Sequence, residues 1–113
     1  MSKTFGELLK DIRREKGVSQ RGLADSVGVD FSYISKIENN RIQPPSAETI
    51  IKISKALGIS EEILLANSKK ISLDISQAIS SSESAIRFMN EVKDMRLSDH
   101  EWDRLSQSLK KLR

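Results

Sequence analysis

The apolar positions of this chain fall into a series of short helical periods separated by breakers. Phe5, Leu8, Leu9 and Ile12 recur at the spacing of one helix face, Thr4 stands where an N-cap belongs, and Gly17 ends the run. From Ser19 to Arg41, SQRGLADSVGVDFSYISKIENNR, no single helix accommodates Leu23, Ala24, Val27, Val29, Ile34 and Ile37, because Gly28 interrupts the period and Asp30 restarts it. Two short helices joined by a tight turn are predicted. Ser19 caps the first, Gly28 takes the positive φ of a sharp exit, and Ala24 is small where the two helices cross. Val29, Ile34 and Ile37 form the inner face of the second helix, leaving Asp30, Phe31, Ser32, Tyr33, Ser35 and Lys36 outside.

The next stretch, NNRIQPPSAE, reads as loop, since consecutive prolines cannot continue a helix. Ser46 then caps a helix that buries Ala47, Ile50, Ile51, Ile53, Ser54 and Leu57 and ends at Gly58. Ser60, Glu61 and Glu62 begin a fifth short helix, in which Ile63, Leu64 and Leu65 are expected to pack inward. Lys69 and Lys70 mark a joint. The expected division is therefore 1–68 and 69–113, all helical. Beyond the joint, Ile71, Leu73, Ile75, Ala78 and Ile79 predict one helix, and Ser80 to Ser82 form a turn and cap. Ala85, Ile86, Met89 and Val92 line a second helix, with Phe88 near that side. Ser98 and Glu101 spell a capping box ahead of Trp102, Leu105, Leu109 and Leu112.

Composition narrows the function classes. The 113 residues suffice for one compact domain plus an appended element. Charged residues make up 31% and the net charge is +3, which permits binding to a polyanion without requiring it. The chain has no cysteine, so disulfides and thiolate metal sites are excluded, in keeping with a reducing cytoplasm. The opening MSKTFGELLKDIRREKG has charges throughout, so it is expected to be neither signal peptide nor membrane span. The single histidine, His100, lies in the capping sequence and has no second ligand type beside it, so neither a metal nor a cofactor is expected. No phosphate-binding glycine loop and no triad spacing is present, which argues against an enzyme.

The set Gln20, Leu23, Ala24, Gly28, Val29, Ile34, Ser35, Ile37, Glu38 and Asn39 resembles the helix-turn-helix of the lambda-repressor-like, or XRE, family of bacterial and phage regulators. The resemblance covers about the first two thirds of the chain. It implies a five-helix DNA-binding domain whose second motif helix enters the major groove of double-stranded DNA. It also implies an ion pair between Arg13 and Glu38, tying the first helix to the end of the recognition helix; a solvated helix-end charge is the alternative for Arg13. By position in the family, Phe31, Ser32 and Lys36 reach base edges. Lys36 can donate to guanine, Ser32 can bond to several bases, and Phe31 can pack on a thymine methyl. Gln20, Tyr33, Ser35, Asn39 and Arg41 suit phosphates. Partial burial is the alternative for Phe31 and Tyr33. Two residues depart from expectation: Gly22 is a weak helix former, and Asp30 brings a negative charge whose expected role is to cap the recognition helix.

The C-terminal hairpin has few residues with which to bury its own apolar stripe. Homodimerisation through Ile86, Phe88, Met89, Val92, Trp102, Leu105 and Leu109 is the expected outcome, because a two-fold dimer reads two half-sites roughly 34 Å apart. Folding back on the same chain is the alternative. The function these readings converge on is a homodimeric repressor binding an inverted-repeat operator. An antitoxin, a phage or restriction-system controller that autoregulates its operon, and a protein-interaction adaptor using the hairpin remain open. An antagonist protein or a protease is the expected kind of inducing partner.

Overall fold

The computed structural model describes residues 3–113. Eight α-helices and no strand are present among them: α1 (Phe5–Glu15), α2 (Gln20–Val27), α3 (Phe31–Glu38), α4 (Ala47–Leu57), α5 (Glu61–Ser68), α6 (Leu73–Ser80), α7 (Glu83–Val92) and α8 (Asp99–Lys111). They form two compact units, the first ending at Ser76 and the second running Gln77–Arg113.

In the first unit the caps lie where short polar side chains can satisfy the free amides of each helix start. Thr4 accepts from Glu7, Ser19 from Gly22 and Ser46 from Thr49. Gly28 and Gly58 close α2 and α4 at φ +83° and +69°, the left-handed region in which a side chain is strained. Around these ends the core assembles from Phe5, Leu9, Leu23, Ala24, Ile34, Ile37, Ile50, Ile53, Leu57, Leu64 and Leu65. α2 packs on α3 and α4, α4 on α5, and α1 on α3 and α5.

Two expectations are corrected here. Ile63 does not pack inward: it is 47% exposed, because only Leu64 and Leu65 of α5 face α1 and α4. Asp30 occupies the N-cap position of α3, but its side chain makes no capping bond, so its carboxylate is not absorbed by the helix amides.

A glycine inside α1 acquires a meaning that helix propensity does not convey. A Cβ on Gly6 would collide with the backbone oxygen of Ile37 and come within 2.8 Å of that of Glu38 and 2.7 Å of Asn40 Oδ1. The start of α1 is thus pressed directly on the C-terminal end of α3.

In the second unit α7 is capped by Ser82, and α8 carries the complete capping box. Ser98 Oγ accepts from the Glu101 amide, and the Ser98 amide donates to Glu101 Oε1 at 2.9 Å. That amide donation, with the hydroxyl contact, holds the Glu101 carboxyl below the usual carboxylate range. Val92 is buried, and Ala85 and Met89 are half-buried, whereas Ile86, Phe88, Trp102, Leu105 and Leu109 are all exposed. Phe88, Val92, Met95, Leu97 and Leu105 line one apolar groove of this hairpin. A second groove runs along Phe88, Trp102, Leu105, Leu109 and Leu112.

Candidate nucleic-acid interface

The candidate site is the outer face of α3 and the concave surface between it, the C-terminal half of α1 and the start of α2. α3 is placed by a polar tie inside the protein. The Glu38 side chain is 1% exposed and accepts three bonds: from Arg13 Nε at 2.6 Å, from Arg13 Nη2 at 2.9 Å and from Gln20 Nε2 at 2.9 Å. Arg13 also donates through Nη1 to the Val18 carbonyl at 2.9 Å. The bidentate fork links α1, the α1–α2 connection and the last turn of α3, while Gln20 adds the first turn of α2. The hydrogen bonds that Arg13 donates to Glu38 raise the affinity of its guanidinium for the proton.

With its inner face fixed, α3 presents a polar exterior. Ser32 and Lys36 are exposed, Ser35 is half-buried, and Phe31 is 40% exposed at the first position of the helix. Asn39 and Arg41 are exposed just beyond the helix end, and Asn39 Nδ2 donates to the Ser35 carbonyl at 2.9 Å. Tyr33 is half-buried against the core, on the side of Asp30 and Thr49. Gln20 shares one concavity with Ser35, Asn39 and Phe31.

Three residues of this surface escaped the sequence reading. Lys10 and Arg14 of α1 and Arg21 of α2 line the same concavity, which contains no acidic residue. Arg21 lies over the ring of Phe31, its Cζ 4.7 Å from the centroid. Their spacing along the chain carries no signal, because only the packing of α1 and α2 on the same helix, α3, brings them together. Among the described residues there is no group of acidic or histidine side chains that could hold a metal, and no helix long and apolar enough to cross a membrane.

Comparison with known proteins agrees with this geometry. Residues 9–64 match a helix-turn-helix family model. The HTH-type transcriptional regulator SinR of Bacillus subtilis is 41% identical over 61 residues, 54% of this chain and 55% of SinR, so the match spans about half of that relative's length. The immunity repressor protein of Bacillus phage phi105 is 32% identical over 98 residues, covering 85% of this chain and 67% of the repressor. Among solved structures, the master regulator for biofilm formation SinR in complex with DNA superposes with a TM-score of 0.52 at 40% identity, over 55% of this chain and 98% of that one. With an all-helical fold, a two-helix motif tied from behind and relatives of this kind, the chain belongs to the XRE-type helix-turn-helix family.

Proposed function

We propose that this chain is a sequence-specific, double-stranded-DNA-binding transcriptional regulator, a homodimeric repressor that occupies an inverted-repeat operator through the major groove. The observation that carries the reading is the exposed polar face of α3, held in place by the buried Glu38–Arg13–Gln20 tie. A helix of this width fits the major groove, where each base pair displays a distinct pattern of donors and acceptors. The structure of a relative bound to DNA supports the same use of the motif. Phe31, Ser32 and Lys36 are the base-reading residues in this reading, and Gln20, Tyr33, Ser35, Asn39 and Arg41 bind phosphates. Residues 1–68 form the DNA-binding domain and 69–113 the association segment. The role is non-enzymatic, as the regulator names of the relatives support, and it is carried out in the cytoplasm, where a bacterial genome is accessible.

Selection of bound sequences from a random DNA pool tests the reading directly. An enriched inverted repeat supports specific reading by a dimer; no enrichment by folded protein overturns it. Lys36→Ala is expected to cost about 1–3 kcal/mol in operator affinity and to relax the preference at one base pair, as read by competition binding against single-base variants.

The half-exposed apolar residues of the α7–α8 hairpin support self-association: Phe88, Trp102 and Leu105 are each at least 40% exposed. Trp102→Ala is expected to shift the protein toward monomer in sedimentation velocity without lowering the melting temperature of the first unit. Retention of the full dimer would place the interface elsewhere.

A further inference from the structure

Arg21 stands where a cation is disfavoured. It occupies the first turn of α2, whose aligned peptide dipoles oppose a positive charge, and no acidic residue shares that turn. Its guanidinium makes no ion pair among the described residues. Phe31 is equally anomalous. It is 40% exposed and lies outside the packed core, although it opens a helix whose other bulky apolar residues are buried or packed on that core. The two meet, guanidinium over ring, at 4.7 Å. Sequences break local rules of this kind where function compensates.

We infer that Arg21 and Phe31 act as one unit that reads the 5-methyl group of a thymine while gripping the adjoining phosphate, an inference that rests on the DNA-reading function proposed above. An aromatic ring neither donates nor accepts a conventional hydrogen bond, so its contact with a base edge is apolar. On the major-groove edge of the base pairs the apolar group is the thymine methyl. The planar guanidinium covers one face of the ring and fixes its orientation, while its outer N–H edge stays free for a phosphate oxygen. Lys10 and Arg14, on the same acid-free concavity but away from the ring, contribute charge alone.

The test uses the full chain and an operator selected by it, with deoxyuridine replacing thymidine one position at a time. Wild-type protein is expected to bind about fourfold more weakly at one position in each half-site, the worth of one buried methyl group. Phe31→Ala removes that difference. Arg21→Lys keeps the charge and therefore the salt slope, but loses the planar stack, and the thymidine–uridine difference falls below twofold. Arg14→Ala lowers the salt slope by about 1 and leaves the difference intact. All three substituted positions are exposed, so an unchanged melting temperature certifies folding of each variant. A full methyl preference in Arg21→Lys overturns the coupling, as does a selected operator with no uridine-sensitive position. Absence of any selected operator removes the DNA-reading function itself, and this inference with it.

Discussion

Arg13→Met is expected to destabilise the first unit by about 3–5 kcal/mol, read from urea unfolding monitored by circular dichroism. The Arg13 side chain is 9% exposed and supplies two of the three hydrogen bonds that Glu38 accepts. Removing it leaves a carboxylate at 1% exposure with the Gln20 amide as its remaining partner in the tie. A buried charge without compensation is among the few features for which one substitution costs this much. Against a total stability of roughly 5–15 kcal/mol for a small domain, the loss is a large fraction of the whole.

The same physics predicts a rescue. Adding Glu38→Leu to Arg13→Met removes the orphaned charge and replaces the pair with apolar volume, an exchange that is often neutral. The double variant is therefore expected to be more stable than either single one, with a coupling of at least 2 kcal/mol in the cycle. Additive losses would mean that the two side chains contribute independently. Gln20 then lacks its acceptor, but it is half-exposed and water can replace the bond.

Gly6→Ala is expected to lower stability by about 3 kcal/mol, the upper part of the range for overpacking. On helix propensity alone the sign would be opposite, since alanine is better than glycine by about 1 kcal/mol in a helix. The collision decides the outcome. The atoms in the way are backbone oxygens of Ile37 and Glu38, and both residues are buried, so neither can retreat without moving the end of α3. A thermal melt is a direct readout, because a change of 1 kcal/mol moves the midpoint of a domain this size by about 4–8 °C. The expected shift is downward by about 12 °C or more; an increase would show that α1 does not rest on α3 as described. Together with the Arg13–Glu38 fork, Gly6 gives α1 two grips on the last turn of α3. The orientation of the candidate reading helix thus depends on residues remote from its exposed face.

Local chemistry decided where the helices begin and end. Ser19, Ser46 and Ser98 cap because a short hydroxyl reaches free amides of its own helix start, and Gly28 and Gly58 terminate because only a residue without Cβ enters the left-handed region at little cost. These are interactions within a few residues, so sequence alone carries them, and the apolar periods carry the core faces by the same logic. It also carried the all-helical fold and the motif. Tertiary structure decided what depends on one element crossing another. Gly6 lies against α3, Arg21 reaches Phe31, and Lys10 and Arg14 join a surface built from α2 and α3. Ile63, apolar and helical like its neighbours, is turned outward because α5 offers the core only its Leu64 and Leu65 side. Asp30 holds the capping position without the capping bond, a matter of side-chain geometry that the residue type leaves open. Periodicity specifies which face of a helix is apolar; the packing of whole helices specifies which neighbours that face, and the polar one, will meet.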